Sequence, residues 1–140
     1  MNTDVRQPEH SKKIITFGTF DVFHVGHLNI LRRAKSLGGR LVVGVSSDAL
    51  NYRKKGRYPI YNEQDRLAIV AGIKYVDDVF IEDSLELKSR YIQQHAADTL
   101  VMGNDWQGKF DELASLVEVI YLPRTPVIST TSIIDVIKNF

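Results

Sequence analysis

Short runs of apolar residues alternate along the chain with longer stretches in which apolar positions return every three or four residues. Residues 13–17 and 40–45 are short, rich in β-branched side chains and almost wholly apolar, the pattern of strands buried on both faces. Between them Leu28, Ile30, Leu31, Ala34 and Leu37 recur at helical spacing, and Gly38-Gly39 supply a stop. Residues 75–81, 99–102 and 117–122 read as further strands, and helical patterns cover 63–72, 85–95 and 129–138. This alternation, with no internal repeat, predicts an α/β fold: a doubly wound parallel sheet of about five strands with helices on both faces, in a single domain. In such a sheet ligands settle at the carboxyl ends of the strands, near the point where strand order reverses. The polar residues that follow each strand are therefore the first places to look for chemistry.

The length of 140 residues with 44% hydrophobic side chains suits one domain with a sizeable core. Residues 1–12 are polar, mixed in charge and carry Pro8; without the apolar core of a secretory signal they are expected to form a flexible tail before a domain spanning 13–140. Eighteen Lys and Arg against 17 Asp and Glu leave a net charge of +1, so no global basic field recruits nucleic acid or an anionic membrane, and any polyanion must be handled locally. The absence of cysteine excludes disulfides, thiolate metal sites and Cys nucleophiles, and is compatible with a reducing cytosol. Apolar stretches such as residues 41–45 fall far short of the ~20 residues of a membrane helix, so no membrane insertion is expected.

The first strand runs into Gly18-Thr19-Phe20-Asp21-Val22-Phe23-His24-Val25-Gly26-His27, which sets two histidines around a glycine at the entrance to the first helix. Unpaired N–H groups and a partial positive charge make that entrance a seat for phosphate, with both imidazoles as donors and Gly26 permitting close approach. A metal pair is the rival reading, but no third ligand lies at suitable spacing, so no metal site is expected. Two structural, helix-capping histidines are the bland alternative. At the other end of the chain Arg124 and Thr125 follow a strand, and Ser129, Thr130 and Thr131 open the last helix. One of these hydroxyls suffices to cap the helix; three of them behind a cation also make a second phosphate cradle. Two cradles at strand ends point to a polyphosphate. The run Arg53-Lys54-Lys55-Gly56-Arg57 reads as an exposed basic loop, and Asp48 as a helix cap.

These residues carry a resemblance. Gly18-Thr19-Phe20-Asp21 leading into His24-Val25-Gly26-His27, Tyr75-Val76-Asp77-Asp78-Val79, residues 101–111 from Val101-Met102-Gly103 through Asp105-Trp106 to Asp111, and Pro123-Arg124-Thr125 with Ile128-Ser129-Thr130-Thr131 together resemble the cytidylyltransferase branch of the His-x-Gly-His nucleotidyltransferases, above all its members that use glycerol 3-phosphate. The likeness spans residues 13–140. It implies a Rossmann-like fold and attack by a substrate phosphate on the α-phosphorus of CTP, giving CDP-glycerol and pyrophosphate without a covalent enzyme intermediate. By the family pattern His24, His27, Lys54, Lys74 and Arg124 are the catalytic cations and donors. Gly18, Thr19, Phe20, Gly26, Thr125, Ile128, Ser129 and Thr130 join the histidines and Arg124 around the nucleotide, and Asp21, Lys54, Arg66, Asp105 and Trp106 meet the acceptor. Simpler roles stand beside these: a solvated Lys54, a surface ion pair of Arg66 with Glu63 or Asp65, a cap for Asp21, a core position for Trp106.

The resemblance also implies Mg²⁺ bound mainly through the CTP phosphates, a cytoplasmic homodimer and a product that feeds cell-envelope polymers such as teichoic acid. Three positions depart from the family pattern. Lys74 stands where arginine is common, keeping the charge but losing the bidentate fork. Pro126-Val127 replaces an acidic-glycine pair, and the basic loop before Arg66 is one residue longer. An adenylyltransferase of the same superfamily and a nucleotide sensor without catalysis are the alternatives.

Overall fold

A computed structural model describes residues 12–126 and 128–140; the expected tail up to residue 11, and Val127 of the Pro126-Val127 departure, lie outside the described residues. Five strands, β1 (Lys13–Gly18), β2 (Arg40–Ser46), β3 (Asp78–Glu82), β4 (Thr99–Gly103) and β5 (Glu118–Leu122), form one sheet in the order β3-β2-β1-β4-β5. Every pairing is parallel, for example Ile14 with Leu41 and with Thr99. The helices are α1 (Val25–Ser36), α2 (Asp48–Lys55), α3 (Glu63–Ala71), α4 (Lys88–Gln94) and α5 (Thr130–Lys138).

Alternation along the strands sends side chains to two separate cores. Ile14, Leu41, Val43, Val45, Val101 and Leu122 pack with Leu31 and Ala34 of α1 and Val70 of α3. Their neighbours Ile15, Phe17, Val42, Leu100 and Met102 pack on the other face with Ile92 of α4 and with Trp106 and Phe110. The strands are apolar on both faces because helices or turns cover both, as the uninterrupted apolar runs required. Winding proceeds outward from β1 to β3, then returns across β1 to β4. The carboxyl ends of β1 and β4, with residues 18–24 and 103–106 beyond them, thus flank the switch in strand order.

Several boundaries differ from the sequence expectation. The third strand begins at Asp78, not residue 75, because the chain turns first: Val76 N–H reaches the Ile73 carbonyl, and the Asp77 carboxylate accepts from Leu41 N–H and Lys35. The helix expected over 85–95 splits into a 3₁₀ turn, Leu85–Leu87, followed by α4. The expected basic loop is in large part helical. Ser47 caps α2 through a hydrogen bond from Leu50 N–H, Gly56 ends it in the left-handed conformation (φ 73°), and Arg53, Lys54 and Lys55 form its last turn, where cations suit the helix dipole. Asp48 is not the cap; it lies in the first turn and its carboxylate accepts from Glu63 N–H and from Arg66.

Candidate active site

The two histidines are built into the start of α1. His24 is the N-cap, and its Nδ1 accepts the Gly26 N–H at 3.0 Å. His27 reaches back so that its Nδ1 accepts the His24 N–H at 3.2 Å, and the rings stack with centroids 3.8 Å apart. The capping role and the donor role are therefore one arrangement, not alternatives. With both Nδ1 atoms occupied as acceptors, each neutral ring carries its proton on Nε2 and presents it as a donor. Burial, and secondarily the Arg124 charge, lower the pKa of His24. Burial, with His24 adding to it, lowers that of His27 to about 3. Both rings are neutral Nε2–H donors at pH 7. Gly26 is needed for this stack, since a Cβ there would fall 2.8 Å from His24 Cε1.

The last helix supplies the second cradle. Ser129 is its N-cap, its Oγ accepting the Ser132 N–H at 3.1 Å while the Ser129 N–H donates to Ser132 Oγ at 3.0 Å. Thr130 Oγ1 donates to the Asp21 carbonyl at 2.9 Å, tying the start of α5 to the histidine loop. The N–H groups of Thr130 and Thr131 lie in the first turn, where the helix itself provides no acceptor, which is the condition for anion binding. Helix α1 holds the intervening segment: Asn29 Nδ2 donates to Thr125 Oγ1 at 3.1 Å and Arg33 to the Pro123 carbonyl at 3.0 Å.

Both cradles open into one cavity of about 810 Å³ at the carboxyl ends of the strands. Gly18, Thr19, Phe20, Asp21, His24, Gly26, His27, Lys54, Asp105, Trp106, Arg124, Thr125, Ile128, Ser129 and Thr130 all line it, so residues more than 100 positions apart in the chain share one space. Two expected site residues do not. Lys74 is exposed at the amino end of the sheet, in the turn before β3, its ammonium 5.2 Å from the centre of the Tyr75 ring. The expectation that it serves the phosphates is corrected for this chain by its position, since α3 returns the chain to the edge opposite the cavity.

Arg66 is the second correction. It is wholly buried, and its guanidinium is consumed internally: Nε donates to the Tyr61 carbonyl at 2.9 Å, Nη1 to the carbonyls of Thr19 and Ser46 at 2.9 and 2.7 Å, and Nη2 to Asp48 at 2.7 Å. It joins the ends of β1 and β2 to α3 and has no free face for an acceptor. Its partner is Asp48, not Glu63 or Asp65. Asp21 lines the cavity, yet its carboxylate accepts backbone N–H groups of Val22, Ile60 and Tyr61, so it is not presented to the acceptor as expected.

Sequence reasoning missed a buried charge pair on the wall beside Lys54. Glu82, the last residue of β3, and Lys88, the first of α4, are ion-paired, 2% and 4% exposed respectively, and both line the cavity. The Lys88 ammonium also lies 4.2 Å from the centre of the Phe17 ring and 5.3 Å from that of Phe110. Burial pushes Glu82 up and Lys88 down, each opposed by the other's charge. Lys54 is lowered chiefly by desolvation, against which Glu82 pulls. Taking two charges out of water is costly unless a function or a specific geometry requires them, and a pair at a strand end in the cavity wall is the signal that points to this site. Among the described residues no group of three or more His, Asp or Glu side chains is gathered to hold a metal ion.

The match to known proteins covers the same span. A family model described as cytidylyltransferase-like matches residues 15–136. A glycerol-3-phosphate cytidylyltransferase of Bacillus subtilis (strain 168) is 48% identical over 122 residues, 87% of this chain and 94% of that protein. One from Staphylococcus aureus (strain NCTC 8325 / PS 47) is 42% identical, covering 87% of this chain and 92% of its own length. The crystal structure of a lipopolysaccharide core biosynthesis protein from Thermoplasma volcanium GSS1 superposes with a TM-score of 0.69 at 26% identity, covering 81% of this chain and 98% of that one.

Proposed function

The chain belongs to the cytidylyltransferase-like family, and we propose that it transfers the cytidylyl group of CTP to glycerol 3-phosphate, releasing pyrophosphate. The observation that carries this reading is the single cavity in which the His24–His27 pair, Arg124 and the start of α5 converge with Lys54 and Lys88. One half is built of neutral imidazole donors, helix-terminal amides and the Arg124 guanidinium, suited to a triphosphate. The other is built of lysines, suited to a small phosphorylated alcohol. A phosphate oxygen of the acceptor attacks the α-phosphorus of CTP; the bond from that phosphorus to the β-bridging oxygen breaks, and its electrons leave with pyrophosphate. The nucleophile is already an anion at neutral pH, so the protein needs alignment and charge stabilisation more than a general base.

In this reading the Nε2–H groups of His24 and His27 donate to the phosphoryl oxygens as charge shifts toward the leaving group. Arg124 and the first amides of α5 hold the pyrophosphate portion, and Lys54 and Lys88 bring up the acceptor phosphate. Asp21 is committed to backbone amides and Glu82 to Lys88, which leaves Asp105 the remaining carboxylate among these cavity-wall acids. That donor set fits Mg²⁺ arriving on the triphosphate, where it supplies charge neutralisation, better than a protein cage. The same reading has a cytoplasmic homodimer whose product serves cell-envelope polymers such as teichoic acid; light scattering tests the dimer. The central test incubates the purified chain with each nucleoside triphosphate, Mg²⁺ and a panel of phosphorylated alcohols, and measures pyrophosphate. Release with CTP and glycerol 3-phosphate is expected. Release from ATP alone would replace this reading with an adenylyltransferase, and tight nucleotide binding without release with a sensor.

A further inference from the structure

Residues 56–61 connect α2 to α3, and Arg57, Tyr58, Pro59 and Ile60 line the cavity beside Lys54. The segment has no helix or strand; Tyr58 and Ile60 are each 63% exposed, and the Tyr58 ring packs on Tyr52 of α2 with centroids 4.7 Å apart, which leaves Ile60 without comparable cover. It starts at Gly56, whose left-handed backbone (φ 73°) faces open space with nothing within 4 Å of a Cβ position. Its far end is held by polar bonds from the histidine loop. Asp21, 8% exposed, accepts the Ile60 N–H at 2.7 Å on Oδ2 and the Tyr61 N–H at 2.9 Å on Oδ1. The Tyr61 carbonyl is taken by Arg66 Nε at 2.9 Å.

Asp21 is itself held in a special conformation. Its neighbours Phe20 and Val22 have φ of 56° and 48°, a region unfavourable to side chains and most of all to a β-branched one. The surrounding bonds enforce it: Val22 N–H donates to Asp21 Oδ1 at 3.1 Å, and Thr130 Oγ1 donates to the Asp21 carbonyl at 2.9 Å. One residue thus joins the histidine loop, the start of α5 and the crossing segment. Backbone strain persists where the surroundings over-determine it, and here its product is a carboxylate aimed at two successive amides.

We propose that Asp21 is a positioning residue whose carboxylate latches segment 56–61 along the acceptor side of the cavity, so that the wall beside Lys54 is formed before the acceptor arrives. The assignment of that side to the acceptor rests on the function proposed above; the latch itself does not. Asp21→Asn keeps the shape but replaces one acceptor oxygen with an NH₂ that cannot accept from an N–H. Hydrogen exchange at the Ile60 and Tyr61 amides of the ligand-free protein should accelerate ~10-fold or more, the effect of losing a charge-assisted bond. KM for glycerol 3-phosphate should rise ~10-fold or more, with the CTP dissociation constant within ~3-fold of wild type.

Ile60→Pro approaches the latch from the other partner, removing one donor and leaving the carboxylate intact; it should reproduce the KM rise and the faster exchange at Tyr61. Unchanged exchange in Asp21→Asn overturns the proposal. So does a KM rise in Asp21→Asn alongside a wild-type Ile60→Pro, which would mean that Asp21 meets the acceptor directly. If Asp21→Asn fails to fold, Ile60→Pro decides: wild-type exchange at Tyr61 and wild-type KM overturn the latch. A wild-type protein inert toward CTP and glycerol 3-phosphate would refute the proposed reaction, while the exchange comparison would still decide the latch.

Discussion

Replacing His27 by asparagine tests the electrostatics of the site through folding stability. In the folded protein His27 is held neutral with a pKa of about 3, against 6.5 for an unperturbed histidine. Between these values the unfolded chain binds a proton that the folded chain refuses. The stabilisation is complete above pH 6.5 and is lost as pH falls toward 3. Integrated from pH 7 to pH 5, this one group removes ~2 kcal/mol of unfolding free energy. Asparagine places an oxygen where Nδ1 accepts the His24 N–H, preserving the cap while abolishing the titration. Urea unfolding of wild type and His27→Asn at pH 7, 6 and 5 isolates the term, because His24 and Glu82 remain in both and cancel in the difference to first order. The wild type should lose ~2 kcal/mol more than the variant. Parallel losses, within ~0.5 kcal/mol, would refute the claim that the fold keeps His27 neutral and with it the assignment of His27 as an uncharged Nε2–H donor.

Loss of either histidine donor, in His24→Ala or His27→Ala, should lower turnover ~10²–10³-fold in the pyrophosphate assay, more than it weakens folding at pH 7. Gly26→Ala brings a methyl to 2.8 Å from His24 Cε1, so the ring must move; turnover should fall while the thermal midpoint stays within a few degrees. Arg66→Met strips four hydrogen bonds from a wholly buried position and should cost ~3–5 kcal/mol in urea unfolding. A loss under ~1 kcal/mol would mean that water or neighbouring donors replace the guanidinium. Lys88→Met leaves Glu82 buried without its partner; it should raise KM for glycerol 3-phosphate and destabilise the fold, and the double variant with Glu82→Gln should recover stability but not KM.

The sheet was legible because its strands are covered on both faces, which writes an unbroken apolar run such as residues 40–45 into the sequence. The two helix starts that open into the cavity were legible because each is contiguous: a histidine cap at one and a serine cap at the other occupy a few consecutive residues. Helix α2 was hidden by its polarity, since only Leu50 and Asn51 are buried and its cationic last turn resembles a loop; the signals that could have found it are the Ser47 cap and Gly56. Lys88, Glu82 and Arg66 come from different elements, and nothing local distinguishes a guanidinium that clamps carbonyls from one that awaits a ligand. Only burial and partner geometry separate the two.

The wholly enclosed guanidinium of Arg66 has an electrostatic consequence of its own. Carbonyl oxygens at the carboxyl ends of parallel strands present a floor of partial negative charge, unfavourable ground for two phosphorylated substrates. The Arg66 guanidinium takes up the Thr19 and Ser46 carbonyls directly, its own charge balanced by Asp48 at 2.7 Å, and because it is wholly buried neither salt nor substrate can displace it. In the proposed reaction the phosphates then meet Lys54 and Lys88 over strand-end carbonyls that are already occupied by a side chain outside the cavity lining.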